Sequence, residues 1–211
     1  MSRLRPPEIW GITADRCAPD SVCAQVQEAL AQGVDRVVLR ERRLAWSRQL
    51  DLMQRLLAAG IPPERLLLRV EHGEQLFDAT TLGCGVHLAD RPWSVRPDLP
   101  FVSRAIHRLE ALTGVEADAL VVSAIRAPRS KLSQGPVLGL TGLRRAVEAT
   151  SKPIIAMGGV DPKLAQACIQ AGAAGVAAIT AVFGADTSER AALIAAAHAP
   201  SERGPTWADV G

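Results

Sequence analysis

Short apolar runs recur along this chain at 9–13, 36–40, 66–70, 85–88, 101–106, 119–123, 153–160 and 175–180, with a helical pattern or a turn between each run and the next. Such runs do not alternate polar with apolar, so they read as parallel strands covered on both faces. Helical patterns fall at 21–31, 71–82, 143–149, 163–171 and 188–198, with a short one starting at 109–112. A further stretch at 45–59 sets Leu50, Met53, Leu56 and Leu57 at helical spacing. Eight strand–helix alternations within 211 residues predict a single closed (β/α)8 TIM barrel. No GxGxxG fingerprint follows the first run, which argues against a doubly wound open sheet. The expected organisation is an N-terminal extension over 1–8, one barrel domain over 9–199 and a flexible tail over 200–211.

Composition narrows the function classes. The chain is 48% hydrophobic but only 3% aromatic, so alanine, leucine and valine must fill a core of small-residue helices on a sheet. A net charge of +2 with scattered basic residues implies no nucleic acid. There is no apolar run of transmembrane length and no signal peptide, so no membrane is implied and a cytoplasmic location is expected. Cys17, Cys23, Cys84 and Cys168 form no CxxC pair and read as reduced, structural residues.

In a barrel of this kind the site forms at the C-terminal ends of the strands. The sequence puts Thr13, Asp15, Arg40, Arg42, Asp90, His107, Ser123, Lys131, Gly158, Gly159 and Thr180 there. The run 153–160 ends in two glycines, and Asp161-Pro162 then opens a helix with an N-cap and a proline at its first position. Ala171-Gly172-Ala173 stops that helix, and the last apolar run closes on Thr180. Strand, Gly-Gly, helix and strand in this order aim free amides from two neighbouring loops at one anion, so a phosphate is expected there. Arg40, directly after a buried strand, suits a carboxylate or phosphate. His107 at a strand exit is the candidate proton-transfer group, whereas His87, between Val86 and Leu88, reads as structural. Carboxylates are thin for a metal, with Glu71 and Asp90 alone on the third and fourth loops.

From about Trp10 to Ala185 the chain resembles the thiamine phosphate synthase / TenI superfamily. Gly11-Ile12-Thr13-Ala14-Asp15-Arg16, Val38-Leu39-Arg40-Glu41-Arg42 (family "QLREK") and Gly85-Val86-His87-Leu88 ("GVHLGQ") carry the likeness, and 153–182 is similar to "PVVAIGGI…AGADGVAVVSAI" almost position for position. By this resemblance Gly158, Gly159 and Thr180, with Ile179 beside it, hold a phosphate. Lys131 of Pro128-Arg129-Ser130-Lys131 adds a cation, and Arg40 and Arg42 face the anionic end of a small phosphorylated heterocycle. The family's synthases carry an Asn-Asp pair after the third strand and an Asp after "GVHLGQ", residues that hold Mg2+ and diphosphate. Here the third strand runs Arg69-Val70-Glu71-His72-Gly73, and Pro92 falls at the later Asp position. Ala105 replaces the serine before His107, and Arg42 the lysine of "LREK".

These departures lead to the expectation of a TenI-like isomerase needing no cofactor, in which catalytic His107 aromatises a carboxythiazole phosphate. One alternative is a thiamine phosphate synthase that joins hydroxymethylpyrimidine diphosphate to thiazole phosphate, with Mg2+ on a site rebuilt from Asp90 and Glu71. Another is a non-catalytic phosphate-ligand-binding or regulatory relative. A homodimer is expected from the resemblance alone.

Overall fold

The computed structural model describes residues 6–13, 15, 19–127 and 137–200. Its strands are β1 (Glu8–Ile12), β2 (Arg36–Leu39), β3 (Leu66–Val70), β4 (Gly85–Leu88), β5 (Val102–Ile106), β6 (Ala119–Val122), β7 (Ile154–Met157) and β8 (Gly175–Ala178). They pair in sequence order as a closed parallel barrel, with Glu8 to Gly11 of β1 against Gly175 to Ala178 of β8 at the seam. The expected single (β/α)8 barrel is what forms.

Both faces of most strand residues are buried, which is why the runs are mainly apolar. Trp10, Ile12, Val38, Leu67, Val121 and Ile155 fill the barrel interior. The residues between them, such as Ile9, Val37, Leu66, Leu68 and Val86, pack outward beneath the helices. At the N-terminal mouth the Arg36 guanidinium lies 3.8 Å from the centre of the Phe101 ring and pairs with Glu8 at 3.0 Å. Glu8 also accepts from the Trp10 indole N–H at 2.7 Å. That end is closed by its own side chains, so the mouth left for a ligand is the C-terminal one.

The connecting helices are α1 (Pro19–Ala31), α2 (Trp46–Ala58), α3 (Gln75–Leu82), α4 (Gly139–Ala149), α5 (Pro162–Gln170), α6 (Thr180–Phe183) and α7 (Thr187–His198). Two connections lack one. Between β5 and β6 there is only a 3-10 turn, Leu109–Leu112, and β4 reaches β5 through the loop 89–101. That loop contains Pro92, Pro97 and Pro100, which remove helix donors. Ion pairing replaces the missing helix: Arg96 holds Asp118 at 2.7 Å, and Asp118 also accepts from the Val102 N–H at 2.8 Å.

The eighth strand is shorter than its apolar run suggests. It ends at Ala178, and Thr180 begins the helical turn α6. Gly11 explains the early turn, because a side chain there would stand 2.7 Å from the Phe183 ring that α6 packs onto β1. Buried Arg190 then ties α7 back, donating to the Val182 carbonyl and to Gln32, both at 2.8 Å. Glu8 of the expected extension belongs to β1, and most of the expected tail, 201–211, lies outside the described residues. No described helix is long and apolar enough to cross a membrane.

Candidate active site

The glycine pair lies at the C-terminal end of β7 with φ of +106° at Gly158 and +60° at Gly159. This left-handed backbone strongly favours glycine. The chain after β6 lies directly against it: Ile125 N–H donates to the Met157 carbonyl at 2.9 Å and Arg126 N–H to the Gly158 carbonyl at 3.0 Å. Arg126 also donates to the Gly159 carbonyl and pairs with Asp161 at 2.6 Å. Asp161 caps α5 as the sequence suggests, accepting from Leu164 N–H at 2.8 Å. Across the β7–β8 pairing, Ile179 and Thr180 follow the end of β8. Among the described residues no backbone carbonyl accepts from the N–H groups of Gly159, Ile179 or Thr180. Donors from two adjacent loops are thus brought together.

The β1 and β2 ends are braced against each other. The Thr13 hydroxyl accepts from Arg40 N–H at 2.9 Å, Glu41 accepts from Asp15 N–H at 3.0 Å, and Asp15 accepts from Arg43 N–H at 2.8 Å. Asp15 has a φ of +53°. Glu41, nearly fully buried, is a residue that sequence reasoning passed over as one of a run of charges; burial raises its pKa. The brace leaves Arg40 half-buried and Arg42 exposed at the rim. Lys131, the other expected cation, lies outside the described residues.

Beneath the mouth, Arg69 and His87 are register partners on β3 and β4. Leu67, two residues earlier on β3, faces the barrel interior, so Arg69 does too. The His87 ring is buried with Nδ1 2.9 Å from Ser103 Oγ, and that hydroxyl donates to the Val86 carbonyl, so Nδ1–H is the donor to Ser103. His87 is a satisfied core histidine, one of the two arrangements its sequence suggests. Burial, then the nearby Arg69 and His107, hold its pKa well below 6.5.

The unfolded chain therefore binds a proton below about pH 6.5 that the folded chain refuses. The associated stability is full above that pH and falls as the solution is acidified, by about 1.4 kcal/mol per unit. Urea unfolding at about pH 7.5 and pH 5 is expected to show His87→Gln losing less stability than wild type on acidification. Equal losses in both proteins would refute this account.

His107 stands at the exit of β5 with its side chain half-exposed. Asp90, in the loop after β4, accepts from both its backbone N–H at 3.0 Å and its Nδ1 at 2.9 Å. The ring is thereby oriented, with Nε2 as the nitrogen not engaged by Asp90. Sequence reasoning named both residues but gave no sign of this pairing, which crosses 17 positions.

The Mg2+ site imagined from Asp90 and Glu71 does not fit these partners. Asp90 is committed to His107, and Glu71 pairs with Arg69 at 3.3 Å. Among the described residues no three His, Cys, Asp or Glu side chains gather to hold a metal. The stretch 128–136 adds neither an acid nor a histidine.

A parallel (β/α)8 barrel, closed at its N-terminal mouth and with its polar groups gathered at the C-terminal strand ends, defines the class. The chain belongs to the thiamine monophosphate synthase family, whose model matches residues 9–182. It is 31% identical to the thiamine-phosphate synthase of Koribacter versatilis over 84% of this chain and 90% of that protein. It is also 31% identical to the one of Albidiferax ferrireducens, over 90% and 91% respectively. The thiamine phosphate pyrophosphorylase of Pyrococcus furiosus superposes with a TM-score of 0.68 at 24% identity, covering 89% of this chain and 92% of that one, a likeness of fold.

These relatives correct the expected tautomerase. Proteins alike along nearly the whole chain are named as synthases, so they support the transferase alternative and not an isomerase. The expectation gave the missing Asn-Asp pair more weight than a likeness that spans the whole barrel.

Proposed function

We propose that the chain is a thiamine-phosphate synthase, joining hydroxymethylpyrimidine diphosphate to thiazole phosphate. The new bond runs from the pyrimidine's methylene carbon to the thiazole nitrogen. The carbon–oxygen bond to diphosphate breaks, and its electron pair leaves with that group. The observation that carries this reading is the near-full-length likeness to proteins named thiamine-phosphate synthase.

The site supports it. Gly158, Gly159, Ile179 and Thr180 surround the thiazole phosphate with backbone donors and a hydroxyl; Lys131, outside the described residues, is the further cation that the family motif offers. Arg40 and Arg42 take the anionic diphosphate end through charge-assisted bonds. His107, oriented by Asp90, offers Nε2 as a hydrogen-bond partner that positions the reacting heterocycle.

The test is to mix purified protein with both substrates and follow thiamine phosphate and released pyrophosphate by NMR, with and without Mg2+. Both products are expected in equal amounts, with His107→Gln reducing kcat/KM about tenfold or more for loss of one positioning bond. Substrate binding without product in either buffer would point to a non-catalytic relative and overturn the reading.

A further inference from the structure

Three arginines gather where the barrel would need to neutralise a diphosphate. Strands β2, β3 and β4 are consecutive neighbours. Arg42 follows β2, Arg69 faces inward near the end of β3, and Arg91 follows β4. Only 16% of the Arg69 side chain is exposed, so it stands below the rim and not out in solvent. Its one hydrogen bond to a described residue uses Nε, toward Glu71 at 3.3 Å, which leaves the two terminal amino groups of the fork. Burial lowers its pKa against the opposing pull of Glu71, and the like charges of Arg42 and Arg91 lower it further, so each of those two cations lies within electrostatic reach of Arg69. One carboxylate, Glu71, does not neutralise them.

The acids of this region are occupied elsewhere. Asp90 orients His107, Asp15 holds Arg43 N–H, and buried Glu41 holds Asp15 N–H. A hard divalent cation needs several free oxygen donors, whereas a planar guanidinium binds phosphate oxygens two at a time without a metal.

We propose that Arg69 and Arg91, together with Arg42, bind the diphosphate group of the substrate directly as a free anion, in place of a divalent cation. This rests on the synthase reading for the identity of the anion. The guanidiniums are pre-placed where negative charge accumulates on the departing diphosphate, so the stabilisation is electrostatic and grows as the carbon–oxygen bond breaks.

The test is calorimetric titration of the full chain with inorganic pyrophosphate, first in excess EDTA and then in Mg2+. Binding in EDTA is expected to be at least as tight as in Mg2+. Arg69→Gln is expected to weaken it about tenfold or more, the loss of a hydrogen bond to a charged partner. Arg91→Gln, an exposed position where folding is not at risk, is expected to weaken it about threefold or more. Heat of binding seen only with Mg2+, or wild-type affinity in both variants, overturns the proposal. Turnover in the same two buffers separates it from the synthase reading. Product formed only with Mg2+ keeps the synthase and removes the arginine site, whereas metal-free pyrophosphate binding without product keeps the site and removes the synthase.

Discussion

Replacing Gly158 by alanine is expected to lower kcat/KM for thiazole phosphate by about two orders of magnitude, through loss of one or two backbone bonds to a charged group. The residue sits at φ +106°, a conformation that L side chains rarely adopt. A Cβ there would also lie 2.8 Å from Ala124 Cα and 3.0 Å from Ile125 N, which are backbone atoms and not movable side-chain ends. Relief requires the β6 connection to withdraw, and that connection carries the Ile125 and Arg126 bonds that hold the glycine turn in place. Gly159→Ala meets Arg126 side-chain atoms and its carbonyl oxygen no closer than 3.1 Å, against 2.8 Å at Gly158, and is expected to be milder. Steady-state kinetics at saturating diphosphate substrate, with circular dichroism to verify folding, decide the matter. A folded Gly158→Ala protein with wild-type KM for thiazole phosphate would remove the glycine pair from the phosphate site.

Trp10→Ala is expected to cost roughly 3–5 kcal/mol of stability, the usual range for truncating a large buried aromatic. The Trp10 ring is fully buried inside the barrel and meets Phe101 edge-on, with ring centres 5.8 Å apart. Truncation opens a cavity and also leaves Glu8 without the indole donor. Trp10→Phe fills most of the volume and is expected to recover over half of the loss. Urea denaturation measures both. A loss for Trp10→Ala of less than about 1 kcal/mol would mean that the barrel closes over the gap and that the interior is not the close-packed plug described.

Strand positions were readable because parallel barrel strands are buried on both faces, so Leu66 to Val70 and Gly85 to Leu88 stand out as mainly apolar runs, each with one polar residue (Arg69 and His87), with the limits the structure shows. The Asp161-Pro162 cap and the Gly158-Gly159 turn were readable for a local reason, since capping and left-handed backbone are decided by two or three adjacent residues. The early end of β8 was not readable: Thr180 leaves the strand because Phe183 finds room against Gly11, and that contact joins opposite ends of the chain. The helix-free connection after β4 was readable as a turn-rich stretch from its prolines, but the Arg96–Asp118 pair that braces it across 22 positions was not.

The sequence by itself determined the barrel, the family and several polar residues at its open end, though not Glu41 or Arg69, because each depends on local pattern or on motif identity. Only the tertiary structure decided which of those residues act together. It paired Asp90 with His107, buried Glu41 as a brace, turned His87 onto Ser103 and placed Arg69 inside the mouth beside Glu71. Those assignments follow from the facing of each strand and the closing of the sheet, which set distances between residues far apart in the chain. A carboxylate that reads as a metal ligand in the sequence becomes a hydrogen-bond acceptor once its neighbours are in place.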